Sequence, residues 1–411
     1  MHQRGLAAQT RKRKGTRAAY KFEKRIETAA IGCGTSVDRV FQLGHIDHTE
    51  VDIELSTTTG TLNLGRPWLT VLVDQYSRRT LAYSLIFDPP SYRSCLLVLR
   101  ACVFRHRRLP QMILSDGGPE FDSVYYESVL ARYQCTKKTR PPSSPRFGSI
   151  LERLFGTANT QLFNILKGNT QLMKEPRQAT KSVNPKCNAI WTLPLLHERI
   201  GEYLFEVYDD APHSLLHRSP RDLYNESLSV SGHRNHVVIP YDSAFIMATL
   251  PPTRKGTAKV QPGKGVKVNH LRYWASEMDD STLAASHVPI RYDPFDAGHV
   301  YAFIGSRWIE CISEHHDFFS GRSEKELALS TTEFYRRQRE TTKVNCSASR
   351  LRMFYESLEW QELLMQQARD LEVRIILNQA PDPRVPAADG TTNNGDPFED
   401  DAMENVYCDL R

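Results

Sequence analysis

Three acidic residues lie in motifs whose residue types and spacing could support chemistry at a phosphate. Asp47 lies in His45-Ile-Asp-His-Thr49, Asp116 in Ser115-Asp-Gly-Gly-Pro-Glu-Phe121, and Glu152 in Phe147-Gly-Ser-Ile-Leu-Glu-Arg153. Three converging carboxylates repel one another unless a divalent cation neutralises them. The three residues therefore predict metal-assisted phosphoryl transfer.

The elements around these acids should bring them together. Asp47 begins a strand with alternating apolar residues, Asp116 ends a short buried strand, and 35 residues separate Asp116 from Glu152. The predicted elements are strands at 47–55, 68–73 and 80–87, a helix after Asp88-Pro-Pro-Ser91, a strand at 111–115, a helix at 123–133, a strand near 135–140 and a helix that carries Glu152. This β-β-β-α-β-α-β-α order is that of a ribonuclease-H-like sheet.

Charge and composition divide the chain into five predicted segments. They are a basic arm at 1–43, an α/β catalytic domain at 44–230, a β-barrel DNA-binding domain at 236–320, a charged helical region at 321–380 and an acidic disordered tail at 381–411. The first 27 residues carry nine Lys or Arg against two Glu, whereas the tail carries eight acids against two Arg. Opposite charges at the two ends indicate a polyanion at one end and a different partner at the other.

The composition argues against membrane and disulfide-rich classes. The 411 residues are 40% apolar, but no window approaches the run of about 20 apolar residues that a membrane helix needs. No Cys-x-x-Cys pair occurs among the eight cysteines, so we expect reduced thiols and no structural zinc. We therefore expect a cytoplasmic protein with no membrane partner.

Other polar residues near the motifs have simpler interpretations. Asp52 has strand parity opposite to Asp47 and should point to the other face, and Asp74 is expected to be structural. His45 and His48 flank Asp47, but no second ligand pair accompanies them, so we expect them to support the backbone rather than bind zinc.

Basic residues are clustered where DNA could bind. The candidate DNA-binding residues are Arg11, Lys12, Arg13 and Lys14 in the arm, Lys137, Lys138, Arg140 and Arg146 beside the acidic motifs, and Arg254, Lys255, Lys259, Lys264 and Lys267 in the barrel. A solvated surface is the alternative for each group. In the acidic tail, Phe398, Val406, Tyr407 and Leu410 could anchor a docking peptide, or the tail could simply be solvated.

Taken together, the motifs resemble the catalytic core of DDE transposases of the bacteriophage Mu, TnsB and TniA type, a branch of the retroviral-integrase superfamily. Besides the three acidic motifs, the matching segments are Arg66-Pro-Trp-Leu-Thr-Val-Leu-Val-Asp-Gln-Tyr-Ser-Arg78, Gly168-Asn-Thr170, His213-Ser-Leu-Leu-His-Arg-Ser-Pro220, Leu271-Arg-Tyr-Trp274 and Val288-Pro-Ile-Arg-Tyr-Asp-Pro-Phe-Asp296. The resemblance covers about 44–320.

The resemblance implies an enzyme that cleaves DNA to expose a 3′-hydroxyl and joins it to a target. The catalytic residues would be Asp47, Asp116 and Glu152, which would also bind two Mg²⁺ or Mn²⁺ ions about 3.5–4 Å apart, with Asp47 bridging them. It further implies a homo-oligomer on DNA, commonly a tetramer, and an AAA+ ATPase that selects the target.

The chain departs from the family pattern at two places. Gly117 stands where family members usually have Asn, which removes a side-chain hydrogen bond from the turn. Relatives also carry helix-turn-helix domains ahead of the core, and the first forty residues are too few to hold them. The chain would then be a fragment, half of a split gene, or dependent on another end-binding protein. Two other functions stay open: a catalytically silent DNA-binding and assembly subunit, and a ribonuclease-H-fold nuclease that cuts without joining.

Overall fold

A mixed five-stranded sheet carries the three acidic motifs. The computed structural model describes residues 9–13, 37–57, 62–140, 149–170, 184–186, 188–213, 216–232, 238–280, 283, 285–328, 331 and 361–378. The strands of this sheet are β1 (Leu43–Glu50), β4 (Trp68–Asp74), β5 (Thr80–Ile86), β6 (Met112–Ser115) and β7 (Thr136–Thr139), in the order β5-β4-β1-β6-β7. Strands β5, β4 and β1 are antiparallel, whereas β6 and β7 run parallel to β1. This is the ribonuclease-H-like order that the sequence predicts.

Helices cover both faces of the sheet. They include α1 (Tyr92–His106), α2 (Val124–Arg132), α3 (Ser149–Gln161) and α4 (Leu193–Glu202), which continues as a π-helical turn at Tyr203–Val207. One buried cluster joins the sheet to α1 and α2, and a second joins its other face to α3 and α4. Strands β4 and β5 are buried along almost their whole length, because helices cover both faces of the sheet.

The first strand differs from the prediction. We expected a strand from Asp47 to Leu55, but β1 begins four residues earlier and ends at Glu50, opposite Trp68. Pro67 directly precedes Trp68 and would stand opposite the next residue of β1, but proline has no N–H to continue the ladder of hydrogen bonds. The backbone then turns away, so that Glu54 donates to the carbonyl of Gly168, and a small separate pair forms between β2 (Leu55–Ser56) and β3 (Asn63–Gly65).

A second, six-stranded sheet curls into a nearly closed barrel. Its strands are β8 (Pro252–Lys259), β9 (Val266–Val268), β10 (Leu271–Trp274), β11 (His287–Asp293), β12 (Asp296–Ile304) and β13 (Arg307–Ser313), in the order β8-β11-β12-β13-β10-β9. The two end strands, β8 and β9, are consecutive in the chain and meet through a bridge between Gln261 and Gly265. Inward-facing residues alternate with exposed ones along β11 and β13.

Four further helices follow, of which the first three pack against the first sheet and the last packs on the barrel. They are α5 (Tyr208–Asp210), α6 (Pro220–Ser231), α7 (Ser243–Thr249) and α8 (His316–Phe319). The strands begin at Pro252 rather than near 236, because the Asp242 carboxylate accepts from the N–H of Phe245 and caps α7 before the barrel.

The barrel and the first sheet are joined by specific contacts. The Arg93 guanidinium of α1 donates to the Tyr292 hydroxyl of β11 at 2.6 Å, and the Arg291 guanidinium lies 4.2 Å from the centre of the Tyr125 ring. Helix α9 (Gln361–Asn378) bridges the two units, since Arg369 donates to the carbonyl of Leu64 and Arg374 to that of Phe295. In the part of the chain that the structure describes, no helix combines the length and apolar character needed to cross a membrane.

Candidate active site

Asp47 lies in the middle of β1, on the central strand of the sheet. Its carboxylate accepts a 2.8 Å hydrogen bond from the backbone N–H of His48. Burial raises the pKa of Asp47 to about 6, and the nearby charges of Asp116 and Glu152 act in the same direction. The Arg140 guanidinium and the His48 N–H oppose this rise. Asp47 is therefore a partly buried carboxylate that interacts electrostatically with both of the other acids.

Asp116 follows β6, the parallel neighbour of β1, so the sheet brings it to the same region as Asp47. The turn after it is held by Phe121, whose fully buried ring stacks on the His48 imidazole with 5.0 Å between ring centres. The His48 ring also forms a 2.7 Å hydrogen bond with the Thr70 hydroxyl. One stacked pair thus fixes the second acidic motif against the first.

Glu152 lies in the first turn of α3, where a carboxylate is favoured by the helix dipole. Leu151 and Leu154 are buried against the sheet and leave the Glu152 side chain 61% exposed. The buried side of this segment continues to Leu162, just after the end of the helix. Packing therefore orients the helix so that Glu152 is open to solvent beside the sheet.

Arg140 lies among these acids. Its guanidinium donates to the Asp116 carboxylate, and its Nη1 atom lies 4.0 Å from Glu152 Oε1. Its backbone N–H donates to the carbonyl of Ser115, which fixes the residue beside the end of β6. From the sequence, Arg140 is predicted only as a DNA-binding residue. Its contact with the acids was missed, and its position just after a strand parallel to β6 was the available signal.

The oxygen donors of the three acids fit Mg²⁺ or Mn²⁺, which prefer carboxylate ligands. Among the residues that the structure describes, however, no three His, Cys, Asp or Glu side chains already form a group that could hold a metal ion. Arg140 occupies the space between Asp116 and Glu152. The donor types fit the ion, whereas the side chains would have to rearrange to bind it.

The other polar residues near the motifs have structural partners. Asp74 is fully buried and accepts from the N–H groups of Phe41 and Ser77, both at 2.8 Å. Asp52 forms a 2.6 Å ion pair with Arg66. These contacts agree with the structural roles expected for both.

The two histidines beside Asp47, of which His45 is buried and His48 is half-buried, both have protein partners. His45 forms a 2.7 Å hydrogen bond with Gln75, and His48 binds Thr70 as described above. Burial lowers the pKa of each imidazole to about 4, so both are neutral at physiological pH. These contacts support the expected structural role.

Gly117 can accept a side chain. A Cβ atom there would lie 3.7 Å from the Thr139 methyl group, an ordinary van der Waals contact. Steric crowding therefore does not explain why this chain has Gly at position 117 where the family usually has Asn.

The candidate DNA-binding residues near the site are not equivalent. Lys137 forms ion pairs with Asp122 at 2.6 Å and Glu127 at 2.7 Å, so its charge is already neutralised locally. Lys138, the next residue, lies on the same edge strand without an ion pair among the described residues. Arg11, Lys12 and Arg13 are exposed on a helical segment at 9–13. Lys14, Arg146, Phe398, Val406, Tyr407 and Leu410 lie outside the described residues.

The barrel residues are exposed on one region of its surface. Arg254, Lys255 and Lys259 lie on β8, and Lys264 lies in the turn that leads to β9. Lys267 on β9 stands directly opposite Arg272 on β10. Like charges directly opposite each other on two strands are destabilising, and Arg272 also donates to the Gln261 side chain at 2.9 Å.

The strand order of the first sheet is that of ribonuclease-H-like folds. The family model of the TnsB C-terminal domain matches residues 45–168, and that of the Mu transposase C-terminal region matches residues 247–309. A curated relative, the transposase for transposon Tn552 of Staphylococcus aureus, is 23% identical over 274 residues. The chain is therefore similar to DDE transposases over residues 45–168 and 247–309.

The Tn552 match covers 64% of this chain and 51% of the relative, so the chain spans about half the length of the curated relative it matches. Solved structures with likeness to the chain include the HTLV-2 integrase catalytic core domain in complex with magnesium, at 14% identity, and the catalytic core of BIV integrase, also at 14%. These cover 44% and 46% of this chain and 95% and 97% of the integrase chains, with TM-scores of 0.29 and 0.28. TM-scores this low decide nothing about function.

Proposed function

We propose that this chain is a DNA transposase subunit that cleaves DNA to expose a 3′-hydroxyl and joins that hydroxyl to a second DNA. The observation that carries the proposal is the convergence of Asp47, Asp116 and Glu152 around one guanidinium on a ribonuclease-H-like sheet. The matches to the TnsB and Mu transposase models support the same reaction class.

In this proposal Asp47, Asp116 and Glu152 hold two divalent cations, Mg²⁺ or Mn²⁺. Bound cations of this kind activate the attacking oxygen and stabilise the leaving oxygen of a phosphodiester. The chain's own task is to fix the carboxylates. The N–H of His48 orients Asp47, and the stack of Phe121 on His48 holds the turn that carries Asp116. No covalent enzyme intermediate is needed.

The proposed DNA contacts follow from the exposed charges. Lys138 and Arg140 lie beside the acids and would contact the backbone of the cleaved strand. The barrel residues Lys264 and Lys267, together with Arg254, Lys255 and Lys259, would neutralise phosphates further along the duplex. Arg11, Lys12, Arg13, Lys14 and Arg146 are proposed as additional phosphate contacts.

From the family resemblance alone we propose assembly as a homo-oligomer on DNA, with a tetramer as the working model, and an AAA+ ATPase partner. Phe398, Val406, Tyr407 and Leu410 would anchor the acidic tail on that ATPase, because the negative charge of the tail repels DNA. Deleting residues 390–411 should leave the joining of naked DNA intact and remove its stimulation by the ATPase. Full capture of the ATPase by the truncated chain in a pull-down would contradict this role.

A strand-transfer assay with pre-cleaved duplex ends, Mg²⁺ and a target plasmid separates the proposal from its rivals. A transposase yields covalent end–plasmid products, and a nuclease yields nicked plasmid without joined ends. A silent assembly subunit binds DNA and yields neither product. Joined products that depend on Mg²⁺ would support the proposal, and their absence with folded, DNA-bound protein would contradict it.

A further inference from the structure

Arg140 is held at the acidic site by its backbone as well as by its side chain. Its N–H donates to the carbonyl of Ser115 at 2.8 Å, one residue before Asp116. Its guanidinium donates to Asp116 and approaches Glu152 to 4.0 Å, and its charge also acts on Asp47. One cation therefore interacts with all three acids.

Neighbouring cations do not share this position. Lys137 lies three residues earlier, on β7, and forms ion pairs with Asp122 and Glu127. Arg66 pairs with Glu50, the last residue of β1, and with Asp52. Within the described residues, Arg140 is the side chain that forms ion pairs with two of the three candidate ligands, Asp116 and Glu152.

A guanidinium and a divalent cation cannot use the same carboxylate in the same way. Mg²⁺ contacts its oxygen ligands at about 2.0–2.1 Å and requires near-octahedral geometry. The Arg140 guanidinium that donates to Asp116 Oδ2 takes up a lone pair of that oxygen, and its charge repels an incoming cation. Arg140 therefore opposes metal binding as long as its guanidinium stays on Asp116.

We propose that Arg140 is an internal counter-ion that competes with the divalent cation for Asp116 and Glu152. This inference rests on the proposed function, since it requires that the acids bind metal. In the metal-free protein the guanidinium reduces the repulsion among the three carboxylates. Arg140 thereby holds the acids together and sets the concentration of metal at which the site fills. It is a positioning residue whose removal should tighten metal binding.

Direct titration of Mn²⁺ binding by electron paramagnetic resonance tests the inference without measuring activity. The proteins are the full chain and its Arg140→Gln, Arg140→Lys, Arg153→Gln and Asp47→Asn variants, with thermal melts to verify folding. Arg153 is the matched control, because it adjoins Glu152 in sequence and its loss changes the net charge equally. Arg140→Gln should raise the Mn²⁺ affinity about fivefold over wild type, the upper range for a partly exposed ion pair.

Arg140→Lys keeps the competing charge and should bind Mn²⁺ close to the wild-type affinity, and Arg153→Gln should change it by less than about twofold. An Arg140→Gln affinity equal to that of Arg153→Gln, or weaker than wild type, would overturn the inference. Asp47→Asn separates this failure from that of the proposed function. If Mn²⁺ binding does not depend on Asp47 at all, the metal site itself is wrong.

Discussion

At the residue scale, the three acids differ in how strongly the protein constrains them. Asp47 is partly buried and Asp116 is tied to Arg140, whereas the Glu152 side chain is 61% exposed at the start of a helix. Burial of a carboxylate without its cation is unfavourable in the charged form. The charged form of Asp47 therefore lowers the stability of the fold, as we expect for a proposed metal ligand.

Asp47→Asn should stabilise the metal-free protein at neutral pH by about 1–2 kcal/mol, because burial raises the pKa of Asp47 from 3.8 to about 6. The folded state holds the proton more tightly than the unfolded state does. The contribution of Asp47 to the free energy of unfolding is therefore most favourable below pH 4, and it is lost as the pH rises through about 6. The stability that Asp47→Asn gains over wild type should grow between about pH 4 and pH 6 and stay constant at higher pH.

Urea unfolding in EDTA at several pH values between 4 and 8 measures this difference. Asp52→Asn is a useful contrast, since Asp52 is paired with Arg66 and its loss should not be stabilising. A stability gain of Asp47→Asn that is the same at pH 4 and pH 8 would show that its charge is not the cause.

At the element scale, the contact between β1 and the turn after β6 decides where Asp116 lies. Phe121→Ala removes the fully buried ring that stacks on His48 and should destabilise the protein by about 3 kcal/mol or more. It should also lower the rate of strand transfer, because the turn that carries Asp116 loses its anchor.

The control for this variant is Phe121→Leu, which refills most of the volume and should cost less stability. Chemical unfolding and the joining assay are compared at a temperature where both variants are folded. Full activity of a destabilised Phe121→Ala protein would mean that the stack supports the fold alone and does not position Asp116.

The sequence predicts the elements better than their contacts. The order of strands and helices from β1 to α3 follows from alternation, apolar runs and turn residues, and these are local signals. The end of β1 was missed, because it depends on Pro67 of the neighbouring strand. The same limit applies to Lys137 and Arg140. They lie three residues apart at one edge, and which acid each contacts is set by tertiary packing.

At the scale of the whole molecule, the barrel and the catalytic sheet are joined through Tyr125, Arg291 and the bridging helix α9. A barrel fixed in this way can present its basic surface at a constant distance from the three acids. On that surface, Lys267 of β9 and Arg272 of β10 stand directly opposite each other, so their positive charges repel.

Replacing Lys267 and Arg272 together by Gln should weaken DNA binding uniformly across sequences. Each lost phosphate contact should reduce the slope of log affinity against log salt by about one, as counterion release requires. The variant should also be no less stable than wild type, because a like-charge pair is removed. Lys137→Gln is the control, since Lys137 is already paired with Asp122 and Glu127.

Fluorescence anisotropy on a random-sequence duplex across a salt series measures these slopes. An unchanged slope for the double variant, or an equal loss for Lys137→Gln, would mean that the barrel surface does not contact phosphate.

The most direct test of the account is strand transfer by Asp47→Asn, Asp116→Asn and Glu152→Gln proteins, using pre-cleaved ends, Mg²⁺ and a target plasmid. Each substitution removes one proposed ligand while keeping the shape of the side chain, so each should reduce joining to background with folding and DNA binding retained. Glu120→Gln, in the same motif as Asp116, is the matched control and should remain active. Joining at the wild-type rate by any one of the three variants would contradict the assignment of that residue and the metal-dependent mechanism built on it.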